Sequence, residues 1–148
     1  MNNYELSAYL SKYGVRIVCA DNLPADLHLT KQTFWVVNTD KCAQKGWHWV
    51  VFHFPSAGPI EFYDSLGKRP EHYQERFRNI LLSNGPCYLL NTSQIQSETS
   101  NVCGHYCIYF IFERVRGRSM KRILSDFNVL DLTANDRLVY DFVKHIPK

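Results

Sequence analysis

From Gln96 to Val115 the chain reads QSETSNVCGHYCIYFIFERV, polar from Ser97 to Asn101 and apolar almost without interruption from Val102 to Phe112. An apolar run entered from a polar loop suits a helix buried on nearly all sides, so the other elements must pack around it. Cys103 falls at the junction, in the first turn of that expected helix. There the free backbone N–H groups and the positive end of the helix dipole favour thiolate over thiol. Gly104 follows without a side chain and leaves room for another backbone or a substrate to approach. A free cysteine in an apolar run is more often a small buried hydrophobe than a nucleophile. A nucleophile needs a base, so the rest of the chain has to supply one.

The sequence has 148 residues, which suits a single domain, 1–148, with one real core. Its opening, MNNYELSAYLSKYG, is polar where a secretory signal would be apolar, and no run of 18 apolar residues occurs. A protein that is neither secreted nor membrane-spanning is expected. The five cysteines, Cys19, Cys42, Cys87, Cys103 and Cys107, are odd in number and irregularly spaced. A disulfide framework is therefore not expected, and burial or catalysis is. Cys107 and His105 lack the second ligand pair of a structural zinc site, so no metal is expected. The net charge of +3 permits a weak polyanion contact without requiring one. Arg114, Arg116, Arg118, Lys121 and Arg122 cluster after the buried helix; a solvated face is the default reading, a DNA contact the sharper one.

Residues 3–13 have the spacing of a short amphipathic helix ended by Gly14, and 15–20 form a strand or loop. Phe34–Asn38 and Trp47–Phe54 are rich in β-branched and aromatic residues and read as strands, the second covered on both faces. His48 and His53, an odd offset apart, belong to opposite faces of the sheet. Pro55–Pro59 is a turn and Ile60–Asp64 a third strand, making a hairpin that brings His48 close to Asp64. Pro70–Ser83 reads as one helix with Tyr73, Phe77, Ile80 and Leu81 as its apolar stripe. Cys87–Asn91 is a further strand, and helices are expected over 119–127 and 135–145. Strands with segregated helices give an α+β fold.

The candidates His48, Asp64, Gln96 and Cys103 match the roles that thiol acyl transfer requires. Cys103 would attack a carbonyl as the thiolate, and His48 would take the thiol proton and return it to the leaving amine. Asp64 would fix the imidazole tautomer. Gln96, with the Cys103 backbone N–H, could form an oxyanion hole. Trp47 and Trp49 flank the base as groove walls, with Trp49 read as the lid over the histidine.

The motifs Gly46-Trp47-His48-Trp49, Tyr63-Asp64-Ser65 and Gln96-x6-Cys103-Gly104, in that order, resemble the adenain family of adenovirus-type virion proteases, whose fold includes the SUMO-deconjugating cysteine proteases. The resemblance covers Phe34 to Phe112. It departs at Asp64, where adenain carries Glu and the SUMO proteases Asp. The Gln-to-Cys step is nearer adenain, and the short length fits a small viral or virus-like-transposon protease better than a eukaryotic deconjugating enzyme, although the chain is shorter than adenain at its C-terminal end. The resemblance implies a papain-like arrangement, a Cys103-bearing helix against a small sheet bearing His48 and Asp64. It implies a monomeric endopeptidase cutting viral or virus-like transposon precursors at Gly-containing sites, in the virion and the host-cell interior. It also implies activation by a viral peptide, for which Cys87 is the candidate attachment point, and by DNA. Two other readings stay open: removal of ubiquitin-like proteins, and a non-catalytic binding module, which would have no need of all four residues.

Overall fold

A computed structural model describes residues 1–26 and 32–148. Helix α1 (Asn3–Leu10) is capped by the Asn2 side chain, which accepts from the Glu5 N–H at 2.9 Å. A 3-10 turn follows, and Gly14 closes it at φ 69°, in the left-handed region. Strand β1 (Arg16–Val18), a 3-10 turn at Ala20–Asn22, then β2 (Thr33–Asn38), β3 (Trp49–Phe54) and β4 (Ile60–Tyr63) come next. Helices α2 (Pro70–Tyr73) and α3 (Glu75–Ser83) lead to β5 (Tyr88–Leu90), and α4 (Cys103–Val115), α5 (Met120–Leu124) and α6 (Leu132–His145) complete the chain.

Among the described residues the strands form one five-stranded sheet in the order β1-β2-β3-β4-β5. The central pairs β2–β3 and β3–β4 are antiparallel; the edge pairs β1–β2 and β4–β5 are parallel. Period-two alternation sorts the side chains onto two faces. Phe34, Val36, Val51 and Tyr63 meet α4, α1, α5 and α6 on one face. Trp35, Val37, Val50, Phe52 and Phe62 meet Phe77, Ile80 and Leu81 of α3 on the other. The strand expected at 47–54 is thus covered on both faces, although it starts only at Trp49.

Helix α4 is the centre that its composition demands, with Tyr106, Ile108, Phe110 and Ile111 fully buried and Phe110 stacked on Tyr63 at 4.3 Å. The expected single helix over 70–83 is divided. Gln74 is extended (φ −147°, ψ 128°), and its side-chain amide donates to the Thr39 carbonyl at 2.9 Å. The cysteine expectation also needs correction: Cys19 and Cys42 form a disulfide, with Cα atoms 5.1 Å apart, leaving Cys87, Cys103 and Cys107 free. An odd count rules out complete pairing, but it says nothing against a single pair brought together by the turn after β2.

Candidate active site

Cys103 is the first residue of α4 and is buried. No side chain caps that helix end, so its first N–H groups have no side-chain capping partner. His48 lies just before β3, and Thr39 N–H donates to its carbonyl at 2.9 Å, continuing the ladder past the strand end. Its Nε2 is 2.6 Å from Asp64 Oδ1, both residues being almost wholly buried. That leaves Nδ1 as the nitrogen available to the Cys103 thiol, with which the ring is in hydrogen-bonding reach.

Burial alone would lower the basicity of His48, but the hydrogen bonds from Asp64 and Cys103 and their charges outweigh it and raise the pKa to about 9. Burial likewise acts to raise the Cys103 thiol. The His48 hydrogen bond and charge, together with a backbone hydrogen bond from Trp49, overcome it and hold the thiol below its ordinary value. Both shifts favour a thiolate–imidazolium pair.

Asp64 is held from all sides. Its Oδ1 also accepts from the Leu66 N–H at 3.0 Å, and its Oδ2 accepts from the Lys68 N–H at 3.0 Å and from the Tyr73 hydroxyl at 2.5 Å. The Asn91 amide clamps the Asp64 backbone on both its N–H and its carbonyl. Tyr73 was legible only as a member of an apolar stripe. The break at Gln74 ends its helix, and its ring lies 5.5 Å from that of His48.

Gln96 is buried on the loop leading to Cys103. Its Oε1 accepts from Ser65 Oγ at 2.5 Å, and the Ser100 carbonyl at the other end, which can only accept, marks Nε2 as the donor. The Nε2 makes only long bonds, 3.3 Å and 3.2 Å, to the Ser100 carbonyl and hydroxyl. The loop is seated by a close approach: Gly67 has φ 71°, and a Cβ there would lie 2.7 Å from Gln94 N and Ser93 C.

A cleft of about 770 Å³ opens at Cys103 and runs past Trp47 and Trp49 to Asn38, Asp40 and Cys42. Both tryptophans line the cleft as expected, but Trp47, not Trp49, lies against the histidine ring. Trp47 is 61% exposed, with its ring 5.2 Å from the His48 ring. Trp49, on the helix-facing side of β3, packs against the core and donates its indole N–H to the Met1 carbonyl at 2.8 Å. Gly104 faces α1, where a Cβ would meet Met1 Cβ at 3.1 Å and Leu6 Cδ2 at 3.3 Å.

The remaining candidates lie away from this centre. His53 bonds Glu61 at 2.5 Å on the helix-covered face, and Cys107 donates to the Trp49 carbonyl at 3.5 Å. Among the described residues, the ligand atoms of Cys19, Asp21 and Cys42 lie within 4.8 Å of one another, but the two sulfurs are bonded to each other. Within the basic cluster, Arg114 pairs with Glu61 at 2.9 Å and Arg118 with Asp126, while Arg116, Lys121 and Arg122 are exposed. Cys87 is exposed beside β5, at the sheet edge. No helix among the described residues is long and apolar enough to cross a membrane.

The fold resembles the crystal structure of an ASFV protease, with a TM-score of 0.54 at 23% identity, over 80% of this chain and 44% of that one. The chain thus spans less than half the length of that protease. The central domain of an uncharacterized Legionella pneumophila protein aligns over 95% of this chain and 75% of its own, at 12% identity and a TM-score of 0.41. Searching curated proteins gives no match. Among protein families, the adenovirus endoprotease family matches residues 18–139, most of the sequence. The chain belongs to the adenovirus endoprotease family of cysteine peptidases.

Proposed function

We propose that the chain is a cysteine endopeptidase that cuts viral, or virus-like transposon, precursor proteins at glycine-containing sites during virion maturation, inside the host cell and the assembling particle. One observation carries this: a buried imidazole bonded to Asp64 at 2.6 Å and within reach of a thiol at the start of the central helix. Cys103 attacks the scissile carbonyl as the thiolate. The oxyanion that forms is met by the Cys103 N–H and by Gln96 Nε2, which exchanges its long bonds to Ser100 for the stronger charged one. His48 passes its proton to the leaving amine, then takes one from the water that hydrolyses the thioester. Asp64, held by Tyr73 and two backbone N–H groups, keeps Nε2–H oriented. Trp47 and Trp49 narrow the cleft beside the thiol, which suits a glycine-containing peptide.

The exposed Cys87 thiol beside an edge strand is the point where an activating peptide would attach by disulfide exchange. Lys121 and Arg122 are the residues left to meet DNA, because Arg114, Arg116 and Arg118 pair with carboxylates. The deciding experiment labels the protein in parallel with a peptide vinyl sulfone ending in glycine and with ubiquitin-like proteins bearing C-terminal electrophiles. Labelling by the peptide, lost in Cys103→Ala, is expected. Labelling by a ubiquitin-like probe alone would replace this reading with a deconjugating one, and labelling by neither, even with DNA and candidate virion peptides added, would sink both.

A further inference from the structure

The far wall of the cleft is the turn at 39–46, which leads directly into Trp47 and His48. Two hydrogen bonds join this turn to the segment after β1: Ala20 N–H donates to the Asp40 carbonyl at 2.9 Å, and Cys42 N–H donates to the Asp21 side-chain Oδ1 at 2.8 Å. The second is exposed to solvent and competes with water. The Cys19–Cys42 disulfide is the covalent link between the same two segments, and both of its cysteines line the cleft. Cys42 is exposed and Cys19 half-buried, so a dissolved thiol can reach the bond.

We propose that the Cys19–Cys42 disulfide is a redox-modifiable brace of the cleft wall, opened by a small thiol of the glutathione class, and that its state sets how firmly the cleft holds a peptide. A reductant thiolate attacks one sulfur, forming a mixed disulfide and releasing the other cysteine as thiolate. A second reductant thiol resolves the mixed disulfide. Two electrons and two protons pass to the protein, and the oxidised small disulfide leaves. The catalytic pair stays in place on reduction, because His48 is anchored by Asp64, which is itself held by the Leu66 and Lys68 N–H groups outside the turn. The change therefore falls on substrate binding rather than on chemistry. The inference rests on the proposed peptidase reading for its kinetic part only.

The test uses the full chain poised in reduced or oxidised glutathione, with Cys19→Ser/Cys42→Ser as control. Peptide mapping by mass spectrometry should find the Cys19–Cys42 pair in the oxidised sample, and its absence there overturns the brace. Amide hydrogen exchange at 40–47 should quicken on reduction, and unchanged exchange also overturns it. With rates normalised to titrated active sites, KM for a glycine-containing peptide should rise about five- to tenfold on reduction while kcat changes less than about twofold. The double variant should show the high KM in both buffers. Faster exchange with an unchanged KM refutes control of binding. No cleavage in either state refutes the peptidase reading instead, and hydrogen exchange alone then decides the brace.

Discussion

His48 keeps its proton because both ring nitrogens face acceptors, Asp64 on one side and the Cys103 thiolate on the other. The consequence for pH follows from both shifts. The thiolate is already present below the range of a free thiol, and the imidazolium is lost as pH rises through about 9. Alkylation of Cys103 by iodoacetamide should therefore persist well below the titration of an ordinary thiol, near 8.5. In His48→Ala it should follow that ordinary titration, and a profile identical to wild type would refute the pair. The kcat/KM of the enzyme should fall on the alkaline side near 9. Tyr73→Phe removes a donor from Asp64 Oδ2 without touching substrate. We expect kcat to drop about tenfold with KM little changed, and a loss confined to thermal stability would count against a positioning role. Residue-level reading of the sequence brought out His48, Asp64, Gln96 and Cys103 because acyl transfer restricts each to few side-chain types. Tyr73 escaped it, since a tyrosine in an apolar stripe carries no mark of where its hydroxyl points. The tryptophan roles escaped for another reason: residues two apart share a face of a strand, and only the start of β3 at Trp49 leaves Trp47 outside the sheet.

Among the elements, the approximate positions of α4 and the three central strands were readable, because long apolar or β-branched runs leave few alternatives. The break at Gln74 was not, since a single extended residue between two helical turns depends on the Thr39 carbonyl, which is distant in sequence. The parallel edge strands are three residues each, too short to leave a periodic signal. Helix α4 also carries an ionic contact to the sheet, where Arg114 meets Glu61, itself bonded to His53. Glu61 is 4% exposed, so Arg114→Ala leaves a buried carboxylate with the His53 ring as its remaining partner. A loss of about 3 kcal/mol in chemical denaturation is expected, and a loss below about 1 kcal/mol would return Arg114 to the class of free surface cations. Burial keeps His53 less basic than in the unfolded chain. The unfolded chain therefore binds the extra proton first, and this contribution to stability is lost as pH falls below about 6.5. At Gly67 a side chain would drive into Ser93 and Gln94. Gly67→Ala should displace the Gln96 loop and lower kcat at least tenfold, and full activity would dissociate the loop from the oxyanion hole.

Across the whole molecule, the candidate catalytic centre joins segments far apart in sequence: the loop between β2 and β3, the turn after β4, the Gln96 loop and the start of α4. It exists only when sheet and helix have docked. The one long-range link that composition argued against is the disulfide, because pairing depends on where the turn after β2 comes to rest rather than on cysteine number. Closing a loop of this span should contribute about 3 kcal/mol, so Cys19→Ser/Cys42→Ser is expected to melt several degrees lower than the oxidised protein in differential scanning calorimetry. Coincident melting would show that the crosslink strains the fold as much as it limits the unfolded chain. The distribution of burial across the cleft has a further consequence. His48, Asp64, Gln96 and Cys103 are almost wholly shielded from solvent, whereas Lys41, Gln44 and Lys45 stand exposed on the far wall. On the proposed reading, selection, natural or in the laboratory, can therefore rewrite that exposed turn without disturbing the buried residues. Trp49 offers no such freedom, since the same ring serves the core and the cleft and any change there is answered by both.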